Sequence, residues 1–388
     1  MTEFWTHGGK YAPFELNETV AALRKSGQNI IEAEAFTGDP SDSKWNETPE
    51  WLKSIGDAAF CAGVNRLVLH RFVQQPWDNQ YKPGATIGRW GTHFDSTQTW
   101  WEPGKAMVKY WQRSQALLQW SSIAASVVND FSTTTNDSIL VKYIHRHQQN
   151  TDVYFVANTA RIMGVANCTF KISGMQPELW DPVTATTKKI TQFDDKNGFT
   201  TIRIPFEKAQ SFFIVFRSQK NIIEPAKNDD FPAMKKVVEL KGEWLVLFDS
   251  KWGDPAKPIV LNRLEDWISN TNRGIKYFSD TAVYKKEFNL SIAQIPDKKS
   301  TSYLDLGMVK YIASVKLNGK NLGVVWTAPW QIRIPSGLLK LQNNQLIVEV
   351  TNVWANRLIG DEQEPADCEW LNAHIDNGKF LKEFPDWF

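Results

Sequence analysis

Two glutamates, Glu32 and Glu34, alternate along Asn29–Phe36, a short apolar stretch that ends in the breaker run Thr37-Gly38-Asp39-Pro40-Ser41. Alternation places both side chains on one face of a predicted strand. A carboxylate at the C-terminal end of such a strand can give or take a proton as general acid or base, and Glu34 sits at that end. It is the candidate catalytic group, and Glu32, deeper on the same face, is a candidate ligand contact. His70 and Arg71 close the next apolar run, Val64–Phe72. Their heads would reach the same end, either to orient Glu34 and bind ligand hydroxyls or to pair with Glu34 as a structural ion pair. Arg89, Trp90, His93, Asp95, Trp100 and Trp101 follow in a polar and aromatic loop, where substrate contacts concentrate in barrel enzymes. Aromatic faces there can stack on the apolar face of a sugar ring, although most of the 18 tryptophans must be core.

The elements that would carry these groups alternate in kind. Leu16, Val20 and Leu23 form a helical stripe from Glu15 to Gly27. Thr48 and Pro49 supply an N-cap and a first helical residue for a helix to Ala62, closed by Gly63. A third helix is expected over Gly104–Trp120. The order helix, strand, helix, strand, helix matches the tail of a (β/α) repeat, whereas a whole (β/α)8 barrel needs about 250 residues. After Ser121 the apolar period becomes two, in 138–144, 152–157, 168–172, 200–204 and 211–216, which predicts a β-sandwich. Arg217–Asp230 is polar and carries Pro225, so it is expected to link this sandwich to another. Period-two runs then resume at 243–248, 282–288, 313–317 and 344–350, with Asn318-Gly319 as a hairpin turn. The aromatic stretch from Asn356 to Phe388 is expected to dock on that second sandwich.

Lys and Arg number 44 against 43 Asp and Glu, so no basic field for nucleic acid exists. No apolar run approaches the ~18 residues of a membrane span, and the 42% hydrophobic content excludes a disordered chain. Cys61, Cys168 and Cys368 lie far apart without disulfide-framework or zinc spacing. The N-terminal residues lack the charged and apolar regions of a signal peptide.

Three blocks, Ile31–Gly38, Ala62–His70 and Pro83–Asp95, resemble glycoside hydrolase family 106, the α-L-rhamnosidases, and stand in that family's order. Tyr284–Phe288, Leu304–Gly307, Val315–Gly319 and Leu322–Trp326 resemble the galactose-binding-like jelly roll of family 2 glycosidases. The resemblance implies a multidomain α/β plus all-β chain: the C-terminal part of a (β/α)8 barrel over 1–125, a β-sandwich over 126–220, and a galactose-binding-like jelly roll over 232–388. It further implies an inverting α-L-rhamnosidase portion acting on rhamnose-containing glycans, in a periplasmic or secreted setting. Members carry earlier barrel strands and a catalytic glutamate upstream, so an upstream segment or companion chain is expected as partner, and the chain by itself is expected to be inactive.

Glycoside hydrolysis takes two carboxyl groups. Glu3, in Glu3-Phe4-Trp5, matches a family block and is the second catalytic candidate, able to activate water. Its place near the first residue argues instead for a solvated, mobile group. Trp326, Trp330 and Asn352–Arg357 resemble the jelly roll's strand-end motifs and are expected to brace the barrel. Asp361, Glu362 and Glu364 could hold Ca²⁺ through oxygen ligands or form a solvated loop; no other cofactor is expected. The rival reading is a non-catalytic carbohydrate-binding or scaffold protein built on the β-sandwiches.

Overall fold

The computed structural model describes residues 2–9, 14–39, 41–75, 82–84, 90–120, 122–123, 130–219, 229–249, 255, 257–297, 300–363, 370–371 and 380–381. It opens with a three-stranded parallel sheet, β1 (Thr2–Trp5), β2 (Glu32–Thr37) and β3 (Arg66–Leu69), in that order. Helix α1 (Phe14–Lys25) joins β1 to β2, and α2 (Pro49–Ala62) joins β2 to β3. Parallel neighbours need such crossovers. The strands expected at Ile31 and Leu67 do pair in parallel, with Ala33 opposite Leu67. The N-terminal residues, expected to be mobile, instead form β1, which is too short to announce itself by alternation and exists through its ladder with β2.

The caps of α2 follow its sequence. Thr48 accepts a hydrogen bond from the Trp51 amide at 3.3 Å, and the Gly63 amide donates to Ala59 and Phe60. Ten of its residues are buried, as expected of a helix covered on several sides. Helix α3 (Trp101–Trp120) buries Met107, Tyr110, Trp111 and Leu118 beside it.

Residues 131–219 form two facing antiparallel sheets, with Ser122–Ile123 on one edge. Tyr154, Val156, Ile214 and Phe216 of one sheet meet Ala166, Cys168, Phe170 and Ile202 of the other in a shared core. Each predicted strand is present, and four more appear: Phe131–Thr134, Met175–Asp181, Thr186–Lys189 and Asp194–Lys196. The expected linker begins later than predicted. Arg217 lies inside strand Ser211–Gln219 and pairs with Glu178 at 3.1 Å, while Asp230 accepts 2.7 Å hydrogen bonds from the Thr191 and Gln192 amides. Only 220–228 of that segment lies outside the described residues.

The last part has a six-stranded antiparallel sheet over 244–351, in which the Asn318-Gly319 hairpin joins Ile312–Leu317 to Lys320–Val325. Ser302–Asp305 and Gln331–Ile334 pair separately, and Leu304 and Ile332 pack against the core of the larger sheet. From Asn356 onward the described residues are the rest of helix Ala355–Glu362 and a short ladder of Trp370–Leu371 with Phe380–Leu381.

These parts share a core. Phe4, Ile31, Leu52, Phe60 and Trp111 pack in one cluster with Ile144, Phe155 and Phe213 of the first all-β part and Ile312, Trp326 and Val353 of the second. The Trp354 indole donates to the Thr97 carbonyl at 2.9 Å, and Trp326 meets Tyr110 at 5.6 Å, so the strand-end tryptophans brace the α/β part. Inside the joint, the Lys53 ammonium donates to Asp57 (2.6 Å), to the Ala209 carbonyl (2.7 Å) and to Ser211 Oγ (2.8 Å), while the Tyr110 hydroxyl donates to Asp57. Burial pushes the Asp57 carboxyl up, with Lys53 opposing it.

Removing one partner of a buried pair strands the other charge, at about 3–5 kcal/mol. Lys53→Met should therefore lower unfolding free energy by that order, and adding Asp57→Leu should restore part of it. Urea denaturation of the single and double variants checks this, and an unaltered Lys53→Met would contradict it.

Candidate active site

One face of the parallel sheet is covered by helices and the other is not. Phe4, Ala33 and Ala35 are fully buried, while Glu3, Glu32, Glu34, Arg66 and Val68 alternate with the covered residues and are partly or largely exposed. Val68 is 40% exposed, although parallel strands are ordinarily buried on both faces. In the β1–β2 ladder Glu3 stands opposite Glu34, and in β2–β3 Glu34 stands opposite Val68. The two catalytic candidates are thus neighbours on one face, with backbones about 4.8 Å apart.

Their surroundings differ. Glu34 Oε1 accepts a 2.6 Å hydrogen bond from the Thr37 hydroxyl, so its partner among the described residues is neither His70 nor Arg71. Thr37 is 3% exposed and reaches back because Phe36, at φ +66°, makes a bulge and packs its ring on Phe4 and Trp111. Glu32 pairs with Arg66 at 3.4 Å across the open face, a weak, exposed contact. Trp90 is 45% exposed and meets Trp5 of β1 edge-on at 5.8 Å, which adds an aromatic wall near Glu3.

Arg71 and His93 are buried and engaged with one another. They are 5% and 4% exposed, the Arg71 guanidinium donates to His93 Nε2 at 3.1 Å, and Trp45 stacks on His93 at 3.7 Å. Nε2 accepts, so the ring is neutral, and burial followed by the Arg71 charge holds its pKa down to about 4. Asp95 is engaged by the Thr97 amide (2.9 Å) and hydroxyl (2.6 Å) and by Gln75 (3.1 Å). Two of the predicted ligand contacts thus lie in the interior, Arg71 just after β3 and His93 in the loop that follows. His70 is partly exposed and pressed against Gly91. Trp101 is the half-buried first residue of α3. Arg89 lies outside the described residues. Asp361 is paired with Arg357 at 2.9 Å, Glu364 lies outside the described residues, and no trio of His, Cys, Asp or Glu able to hold a metal occurs among those described.

Sequence reasoning missed Thr37, Trp5, Trp45 and Glu47. Glu47 directly precedes the Thr48 cap, and no motif marks it as interior. It is 2% exposed, and burial raises its pKa to about 7 although the Glu47, Lys44 and Asn46 amides oppose the shift.

A carboxyl raised in the fold favours folding while protonated, so this contribution is full below the ordinary value near 4.5 and is lost as pH rises through about 7. Glu47→Gln keeps the shape and removes the titration. The variant should gain on the order of 3 kcal/mol over wild type at pH 8 and little at pH 4. Denaturation at both pH values checks this; equal differences at the two would contradict it.

The solved structure of a rhamnosidase from Novosphingobium sp. PP1Y superposes with a TM-score of 0.81 at 22% identity, covering 94% of this chain and 48% of that one. A Formosa agariphila protein whose name is that of a beta-glucuronidase is 21% identical over 100% of this chain and 62% of its own length. The chain thus spans about half to three-fifths of these relatives. The alpha-L-rhamnosidase model Glyco_hydro_106 matches residues 1–129 and 122–195, half of the sequence, and the chain belongs to that glycoside hydrolase family.

Proposed function

We propose that this chain carries one wall of an inverting α-L-rhamnosidase site, with Glu34 and Glu3 as its candidate carboxyl groups beside the glutamate expected upstream and rhamnose-containing glycans as substrate. The observation that carries the reading is the placement of both glutamates, in register, on the uncovered face of a parallel sheet. In the inverting reaction one carboxyl protonates the leaving oxygen while the other activates water, the two standing about 6.5–9.5 Å apart. Thr37 tethers one Glu34 oxygen, and the exposed Glu3 side chain has room to spread for water. Trp5, Trp90 and Val68 would offer apolar surface to the deoxysugar.

The β1 and β3 edges carry no further strand among the described residues. On this reading the sheet is the C-terminal part of a (β/α)8 barrel over 1–125, which an upstream segment or companion chain extends at both edges. Residues 126–220 and 232–388 then serve as a sandwich and a galactose-binding-like jelly roll that brace it. The protein would act where glycans are met, in the periplasm or outside the cell.

In the completed barrel Glu34→Gln should lower kcat on an aryl α-L-rhamnoside by about 10² or more with little change in melting temperature. The product released should have the inverted anomeric configuration by NMR. By itself the chain should be slow by a similar factor. Near-normal turnover of the variant would remove Glu34 from the chemistry, and sugar binding with no hydrolysis by the completed barrel would favour a binding module.

A further inference from the structure

One histidine of the first β-sandwich stands between two carboxylates. His145 lies on strand Val141–Gln148 of the six-stranded sheet, and alternation puts it with Tyr143 and His147 on the face turned to the other sheet. Its Nδ1 is 2.8 Å from Asp130 Oδ2, and its Nε2 is 2.8 Å from Asp152 Oδ1. Asp130 directly precedes strand Phe131–Thr134 of the four-stranded sheet, whereas Asp152 belongs to strand Thr151–Asn158 beside His145. One contact therefore crosses between the sheets and the other stays within one of them. The ring is 11% exposed, and Tyr154 stacks on it at 4.0 Å.

An ionised carboxylate can only accept a hydrogen bond, so each ring nitrogen must donate, and a ring that donates from both is an imidazolium. The groups around it keep the carboxylates in that role. Tyr143 donates its hydroxyl to the second Asp130 oxygen at 2.9 Å, and burial together with this bond raises the hydroxyl to about 12, so it remains a donor. His147 Nδ1 meets the same Asp152 oxygen at 2.8 Å. Burial pushes the Asp152 carboxyl up, but the hydrogen bonds from His145 and His147 outweigh it and hold the group below its ordinary value. Burial also raises the Tyr154 hydroxyl, which stays neutral against the ring. Lys142 and Arg146 alternate to the opposite face, where Arg146 donates to Asn29 of the α/β part at 3.0 Å.

We propose that His145 is a pH-sensitive latch, whose imidazolium ties the two sheets of the sandwich together through Asp130 and Asp152 and whose deprotonation releases one of those ties. The proton leaves to solvent, and the nitrogen that loses it turns a lone pair toward a carboxylate oxygen, so that contact becomes repulsive. The stabilisation is present while the ring keeps its proton and is lost as the pH rises and the proton goes; on the acid side it lasts until the lowered Asp152 carboxyl is protonated. Ile144 of the same strand packs in the core shared with α2, so the latch bears on the joint between the parts. This inference is independent of the sugar-hydrolase reading.

The test is thermal melting of the whole chain at pH 6 and pH 9 as wild type, His145→Gln, Asp130→Asn and the double variant. Each variant is read against wild type at the same pH, because Glu47 titrates over this range as well. His145→Gln should lower the melting temperature by about 3–6 °C at pH 6 and by about 1 °C or less at pH 9, and adding Asp130→Asn should lower it little further, since both remove one contact. An equal loss at the two pH values, or losses that simply add, overturns the latch. His147→Gln, at the exposed end of the cluster, should keep the pH dependence, and its disappearance there but not in His145→Gln also overturns the assignment. Ring ¹⁵N NMR of the wild type needs no variant: both His145 nitrogens should carry protons at pH 6, and one bare nitrogen at that pH would contradict the proposal.

Discussion

A parallel strand cannot cover its own two faces, and the architecture of this protein follows from how β1, β2 and β3 meet that requirement. One face is closed by α1, α2 and α3, and those helices are themselves closed by the two all-β parts, which contribute Phe155, Phe213, Ile312 and Trp326 to a single core. A short sheet of three strands is thereby held rigidly enough to present the other face to solvent. On that face Glu3, Glu34 and Val68 stand in adjacent register. Among the described residues the all-β parts reach the α/β part through this packing.

The same joint explains why charge is tolerated deep inside. Lys53 and Asp57 stand one turn apart on α2, and the ammonium also finds the Ala209 carbonyl and Ser211 on the neighbouring part. An ion pair with every remaining donor and acceptor used can be held without water. At the strand ends the solution is different: His93 is kept neutral between Trp45 and Arg71, and burial raises the Glu47 carboxyl to about 7. Groups that could titrate near neutrality are thus assigned to fixing loops, and among the described residues Arg66 is the cation paired with a carboxylate of the open face.

Much of this was legible in the residues. The Thr48-Pro49 start and Gly63 stop of α2, the parallel pairing at Ile31 and Leu67, the Asn318-Gly319 hairpin and the period-two strands all have local causes, namely caps, alternation and turn chemistry. Glu34 was singled out because alternation and a following breaker run suggest a strand end, whereas in the sheet it is the third of the six residues of β2. What was hidden depends on long-range contact. Four residues of β1 acquire a structure only against β2, so Glu3 could not be seen as the neighbour of Glu34. Arg71 and His93 looked like ligand contacts because charged and aromatic residues in a loop suggest exposure. His93 is covered by Trp45, nearly fifty residues away in the chain, and Arg71 is held on His93. Polar Arg217–Gln219 reads as linker, yet ladder hydrogen bonds and the pair with Glu178 draw it into a strand.

The central claim is that a sugar meets this protein on the uncovered face of the parallel sheet. A crystal structure of the chain soaked with L-rhamnose tests it most directly. The account predicts the ring on that face, with oxygens within hydrogen-bond distance of Glu3 and Glu34 and its apolar side toward Val68, Trp5 or Trp90. Sugar bound solely on the all-β parts, or an empty sheet face at saturating rhamnose, would contradict it.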